Sequence, residues 1–310
     1  MNVISGTSAE DMLLRLGCAG LRRYFQAAPW RFGKQWLWDR VVQRHLAWRS
    51  LPIEAQTRFG ARIAGRFPDA VHSHVYFFGV WEPAITALYR ATLEPGDVVV
   101  DIGANVGLHT LLAAQLVGPS GRVHAIEASP HIFARLKRNL AANGAHQVQA
   151  WNMAATDRPG EVPVFLHDER NLGGTTIIAI EAAKAGSPLE TMVAGLPVGD
   201  IIPKSDLLAA KLIKIDVEGA EWLVVQGLRA VLPLLRADVA ILVEVNQTAL
   251  AVLGGSLDAL LAIFAEAGFT AYEVANAYDG AFYIGPAPGL PQPLTRRDFT
   301  TADLLFRRAA

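Results

Sequence analysis

The chain of 310 residues carries 28 Lys+Arg against 29 Asp+Glu, is 52% apolar and only 18% charged, which excludes wholesale disorder and gives no global attraction to nucleic acid. At roughly 100–200 residues per domain it accommodates one large domain, or one domain with an extension. The single cysteine, Cys18, makes neither an internal disulfide nor a Cys-based zinc site and favours a reducing, cytoplasmic setting.

Residues 8–50 read as helical pieces, with Leu13, Leu14, Leu21, Phe25 and then Trp36, Val41, Val42, Leu46 recurring at helical spacing. The apolar run from Met12 is interrupted by Arg15 and lacks the basic start of a secretory signal. Residues 1–50 hold eight Lys/Arg against three acids, a net +5 against −6 for the remainder, and four of the seven Trp. That basic, Trp-rich stretch suits an accessory helix packed on a domain. Its sharper reading is a substrate-side lid, or a peripheral membrane or glycolipid contact. Its periodicity does not single out a membrane-inserting face.

Short alternating runs over 57–80 (Phe59, Ala61, Ile63; Val75, Phe77) predict a strand pair, with His72 and His74 on its surface side. Residues 1–75 are therefore expected to form a helical extension plus strand pair, and 76–310 the main domain. Glu82-Pro83 opens a helix whose apolar face is Ile85, Leu88 and Tyr89.

From residue 97 the pattern becomes regular. Strands are expected at 98–102, 123–127, 148–152, 212–216, 239–243, 269–274 and 304–307, with helices between them. This alternation predicts an α/β fold with a mostly parallel sheet covered on both faces. Residues 155–205 break the rhythm and read as an insertion with short strands and a loop. The charge-free stretch Ile102–Gly121 contains Gly103, Asn105, His109 and Pro119, and suits a glycine turn feeding a buried helix better than a membrane span.

The chemistry-bearing residues cluster where the predicted strands end. Asp101-Ile102-Gly103-Ala104-Asn105-Val106-Gly107 follows the first core strand and opens a helix, a place where backbone approaches a ligand closely. A dinucleotide needs G-x-G-x-x-G, but Asn105 and Leu108 stand where its second and third glycines belong. A nicotinamide-dependent oxidoreductase is therefore the weaker alternative. Glu127, 26 residues after Asp101, ends the second strand and can accept both ribose hydroxyls of a nucleoside. Ala154 and Asp157 follow the third strand, where an adenine ring would lie.

Lys214, Asp216 and Glu218 end the fourth strand and share one side if the extended geometry persists. Glu244, ending the fifth, adds another acid to the rim. Such carboxylates act as base or acceptor anchor, or together hold a Mg²⁺ through oxygen ligands alone. The eight His form no H-x-x-x-H metal pair. A non-catalytic cofactor binder, the third alternative, has no need of the Lys214, Asp216 and Glu218 set.

Together Phe78-Gly79-Val80-Trp81-Glu82-Pro83, the motif at Asp101–Gly107, Glu127-Ala128-Ser129-Pro130, Asn171-Leu172-Gly173-Gly174-Thr175, Lys214-Ile215-Asp216-Val217-Glu218-Gly219-Ala220-Glu221 and Leu304-Leu305-Phe306 resemble the FkbM-type S-adenosylmethionine-dependent methyltransferases, over about three-quarters of the chain. The resemblance implies a Rossmann-like sheet of seven strands with the last antiparallel. It also implies S-adenosyl-L-methionine as cofactor and O-methylation of a sugar, glycolipid or polyketide-type acceptor. On that basis Glu82, Asp101, Gly103, Asn105, Gly107, Glu127, Ala154 and Asp157 would bind the donor. Asp216, with Glu218 and Lys214, would serve catalysis.

Overall fold

The computed structural model describes residues 9–28, 31–46, 49, 51–166 and 175–308. Trp30, Trp48 and the Asn171–Gly174 part of one motif lie outside them. The chain divides into two compact units, Met1–Trp81 with Tyr278–Pro286, and Glu82–Ala277 with Ala287–Ala310.

The first unit contains α1 (Ala9–Ala27), α2 (Lys34–Leu37) running into a wider π-helical turn (Trp38–Leu46), the antiparallel pair β1 (Leu51–Gln56) and β2 (Arg62–Phe67), and α3 (Ala70–Phe78). Its core is aromatic. Phe25 meets Trp38, Phe77 and Phe78 edge-on at 5.2–6.2 Å between ring centres, and Phe67 stacks on Phe77.

The alternation expected through Val75 and Phe77 is not a strand. Asp69 caps α3 by accepting from the His72 N–H at 2.9 Å, and every residue from Val71 to Phe78 is buried. A helix buried all round has no polar face, so its sequence carries no helical period. His72 and His74 are accordingly not on a surface. The His72 ring lies flat against β2, where a Cβ on Gly65 would come within 1.7 Å of it. Tyr76 belongs to this aromatic core beside Phe67 and Phe77.

The second unit begins with α4 (Pro83–Thr92). It continues through β3 (Val98–Ile102), α5 (Leu108–Val117), β4 (Arg122–Ile126), α6 (Pro130–Ala142) and β5 (Val148–Trp151). Then come β6 (Ala154–Ala155), β7 (Gly160–Phe165), α7 (Ala179–Ala185), β8 (Leu189–Leu196), and two short helices, α8 (Val198–Ile201) and α9 (Lys204–Leu208). The rest is β9 (Ala210–Ile215), α10 (Glu221–Leu228), β10 (Ala240–Asn246), α11 (Gln247–Val252), α12 (Leu257–Glu266), β11 (Phe269–Val274), β12 (Gln292–Pro293) and β13 (Thr301–Arg308).

The main sheet runs β12-β11-β13-β10-β9-β3-β4-β5. β3, β4, β5, β9 and β10 are parallel, and β13 enters antiparallel between β10 and β11. This is the expected seven-stranded arrangement, with the two-residue β12 added at the edge. Its central strands are rich in Val and Ile because both faces are covered. Val100, Ile102, Ile213, Ile215, Ile241 and Val243 are all fully buried. The stretch with the composition of a membrane span is α5, buried along nearly its whole length. No described helix is long and apolar enough to cross a membrane.

The insertion forms a separate three-stranded sheet, β6-β8-β7. The strands stay parallel, but the order in which the chain lays them across the sheet reverses between the β3–β4–β5 half and the β9–β10 half. A crevice therefore opens beyond the carboxyl ends of β3 and β9, where open α/β sheets bind ligands.

Candidate active site

The turn after β3 is built by close backbone approach. Gly103 has φ +83°, and a Cβ there would sit 1.7 Å from the carbonyl oxygen of Asp216. Gly107, at φ +93°, opens α5, and a Cβ there would meet Leu136 at 2.6 Å. Glycine alone satisfies both demands. Among the described residues the non-glycine positions with φ in this left-handed range are Glu82 (45°), Asn105 (51°) and Glu218 (52°). All three are site residues predicted from the sequence. Such conformations cost free energy and persist where the surroundings hold them, characteristically at functional sites.

Glu127, just past β4, is buried and braces the turn. Its Oε2 accepts from the Asn105 N–H and its Oε1 from the Ser129 N–H, each at 2.9 Å. A carboxylate has about four acceptor positions, so one on each oxygen remains, the number a ribose diol needs. Burial outweighs these two hydrogen bonds and raises the Glu127 pKa to about 7.

The adjoining helix start is tied to the insertion. Ser129 accepts from the Ile132 N–H as the cap of α6. Glu190 of β8 accepts hydrogen bonds from the Ser129 hydroxyl at 2.6 Å and the His131 N–H at 2.8 Å. Ala154 is placed by β6, in the small sheet, and packs with Ala128 next to Glu127. Asp157 is exposed in the turn that follows.

Beneath the Gly103 turn lies a buried charged group. Asp101 and Lys214 are register partners on β3 and β9. Lys214 donates to Asp216 Oδ2 at 2.5 Å. Burial alone would lower the Lys214 pKa, but the charges of Asp216, Asp101 and Glu82 raise it well above the usual lysine value. Asp101 is raised, chiefly by burial, against the Lys214 charge and the Thr110 hydroxyl that donates to its Oδ2 at 2.5 Å. Its Oδ1 is buried without a partner.

Glu82, the buried residue before α4, accepts from the Asn276 amide at 3.1 Å and lies 3.5 Å from His109 Nε2. Burial first, and the Lys214 charge second, push His109 well below its ordinary pKa. His109 is therefore neutral, and its contact with Glu82 is dipolar rather than ionic. Its ring also faces Tyr89, whose buried hydroxyl has no partner.

At the rim, the extended geometry stops at Ile215, and the left-handed turn at Glu218 aims that side chain instead. Carboxylate oxygens of Asp216, Glu218 and Glu244 lie within 4.8 Å of one another. Glu221 stiffens the turn by accepting from the Val217 and Gly219 N–H groups at 3.1 and 3.0 Å. The protein packed around Glu218 and Glu244, together with the charge of Asp216, raises both well above ordinary carboxylate values. Asp303, opposite Glu244 on β13, is raised to about 6 by burial against the donated Asn276 hydrogen bond.

The structure thus gathers Glu82, Asp101 and Asp216 around the Lys214 ammonium, and Gly103, Asn105, Gly107 and Glu127 around one turn. Tyr89, Asn276 and Asp303 were missed in the sequence. Tyr89 reads as an ordinary member of an apolar helix face. Asn276 and Asp303 sit in irregular or strand-start positions and meet Glu82 only in three dimensions.

A nucleoside sulfonium with an amino-acid tail fits these residues. Glu127 has acceptor capacity for the sugar, the glycine cradle leaves room for the chain between, and the unpartnered Asp101 Oδ1 and Tyr89 hydroxyl suit the polar tail.

The family model described as methyltransferase FkbM domain matches residues 101–271. The 31-O-demethyl-FK506 methyltransferase FkbM of Streptomyces tacrolimicus is 30% identical over 57% of this chain and 74% of its own. A protein-L-isoaspartate O-methyltransferase of Ignicoccus hospitalis is 26% identical over 52% and 75%. Among solved structures, a methyltransferase FkbM from Methylobacillus flagellatus aligns with 14% identity and a TM-score of 0.40, over 77% of this chain and 54% of that one.

Proposed function

Because the chain belongs to the FkbM methyltransferase family and is an S-adenosylmethionine-dependent enzyme, we propose that it methylates a hydroxyl of a sugar, glycolipid or polyketide-type acceptor, with Asp216 as the group that receives the hydroxyl proton. The observation that carries this reading is the contact between Gly103 and the Asp216 carbonyl. It holds the acid-bearing end of β9 against the turn proposed for the donor, which supports donor and acceptor meeting there.

When bound, the donor supplies an electrophilic methyl group on a sulfonium. The chain supplies position and proton handling. Glu127 and the Gly103–Gly107 turn hold the nucleoside, and Asp101 with Tyr89 receives the amino-acid tail. Holding the acceptor oxygen in line accounts for much of the acceleration in such a displacement. Lys214 keeps the Asp216 carboxylate fixed at 2.5 Å, and Glu218 stands beside it as the second candidate.

The test is transfer of isotope-labelled methyl from the donor to fractions of a cell extract. Asp216→Asn is expected to lower turnover by about 10²–10⁴-fold while S-adenosylhomocysteine affinity changes little. Unchanged turnover removes Asp216 from the role. Donor binding with no labelled product from any fraction favours a non-catalytic binder.

The mutual distances of Asp216, Glu218 and Glu244 favour a second reading, in which they hold a Mg²⁺ that acidifies the hydroxyl. Turnover that survives exhaustive dialysis against a chelator rejects it.

A further inference from the structure

The first unit carries a surface that water alone does not explain. On α1, Cys18 and Phe25 face inward. At about 100° per residue, Met12, Leu13, Leu16, Gly20, Arg23 and Ala27 fall on the opposite side. That outward stripe should be polar, as on any helix packed by one face. Instead its first half is apolar, with Met12, Leu13 and Leu16 57–66% exposed.

A second stripe begins where the first ends, tied by the Tyr24 hydroxyl donating to the Phe32 carbonyl. Phe32, in the turn before α2, and Trp36, within α2, are 87% and 62% exposed. Arg40 and Arg44 continue the same spacing and are exposed. Lys34, on the inner side, is buried and donates to the carbonyls of Phe25 and Ala28 at 2.8 Å each, which fixes this segment to the end of α1.

Charge selects the occupant. Arg15, Arg23, Arg31, Arg40, Arg44 and Arg49 are exposed here, and Asp39 is the one exposed acid among the described side chains of residues 12–49. The first unit as a whole has eleven Lys/Arg against six Asp/Glu, while the second is net acidic. Apolar and aromatic tips standing among arginines, with almost no acid between them, match the headgroup zone of an anionic bilayer. There the apolar side chains enter the acyl boundary and the guanidinium groups pair with lipid phosphates.

We propose that this face of the first unit, from Met12 through Arg44, docks reversibly on an anionic lipid surface. The inference does not depend on the methyl transfer reading.

The full chain is expected to co-sediment with phosphatidylcholine vesicles containing about 30 mol% phosphatidylglycerol at least about tenfold more than with phosphatidylcholine alone. Salt at about 0.5 M should remove most of that binding. Two separate variants test the two components. Leu13→Ser with Leu16→Ser and Trp36→Ser removes the apolar tips, and Arg40→Glu with Arg44→Glu reverses the charge. Each should weaken vesicle binding about fivefold or more, with melting temperature and S-adenosylhomocysteine affinity unchanged as the control for folding. Vesicle binding that is absent, indifferent to anionic lipid, or retained by both variants overturns the proposal. So does a concentration-dependent dimer in analytical ultracentrifugation that the leucine variant abolishes, since the face is then covered by a second copy.

Discussion

Gly103 and Asp216 meet backbone to backbone. The space a Cβ would fill on Gly103 is 1.7 Å from the Asp216 carbonyl oxygen, and the Asp216 N–H donates to the Ile102 carbonyl at 3.0 Å. Gly103→Ala meets this wall with φ already at +83°. It is expected to cost at least about 3 kcal/mol of stability in urea denaturation. Because the same movement spreads β3 from β9, calorimetry should also show S-adenosylhomocysteine affinity falling more than for Ala substitution at exposed Gly160.

Lys214 is the buried counter-charge for Asp216, Asp101 and Glu82. Its pKa is raised in the folded chain, so its contribution is complete below about 10.5 and is lost only at higher pH. Lys214→Met leaves the buried Asp101 and Glu82 and the half-buried Asp216 uncompensated, which costs about 3–5 kcal/mol near neutrality. Protonation relieves the uncompensated acids, so the loss measured at pH 5 should be smaller than at pH 8. Equal losses at both pH values contradict the assigned role.

Glu127 has a folded pKa of about 7 against an ordinary 4.5. Between those values the folded chain holds a proton that the unfolded chain has released. Its contribution to stability therefore falls as pH rises from about 4.5 to 7 and is flat above. If Glu127 holds the donor's ribose as proposed, donor affinity runs the other way, since two hydroxyls need the ionised carboxylate. S-adenosylhomocysteine titrations are expected to tighten between pH 6 and 8, and Glu127→Gln should abolish that slope.

Tyr89 offers a cleaner separation of binding from stability. Its hydroxyl is buried and unpartnered in the free protein, so Tyr89→Phe removes an unsatisfied group and should leave stability unchanged or raise it by up to about 1 kcal/mol. If the hydroxyl meets the donor's tail, affinity for S-adenosylhomocysteine falls about five- to tenfold. Unchanged affinity places the tail elsewhere.

The sheet was legible because its central strands are buried on both faces, and β-branched runs such as Val98-Val99-Val100 are distinctive. The candidate site was legible where the backbone is unusual, at Gly103, Gly107 and the Asp216–Glu221 turn. Legibility failed where burial erases periodicity, as in α3, read as a strand because no residue from Val71 to Phe78 faces water. It failed again where partners are distant in sequence. Asn276 bridges Glu82 and Asp303 with one amide, and nothing local marks any of the three as a set. Glu218 was placed beside Asp216 on strand alternation, but a left-handed turn brings it there.

Glu190 links two parts of the molecule that are otherwise free to diverge independently. It stands on the middle strand of the insertion, yet its two oxygens secure the first turn of the helix adjoining Glu127. Exchanging residues 155–205 for the equivalent segment of a relative, to redirect acceptor choice, will preserve nucleoside recognition only if the graft brings a carboxylate to that place. On the proposed role of Glu127, a hybrid without that carboxylate loosens its hold on the sugar of the donor, and a change intended for one substrate is felt by the other.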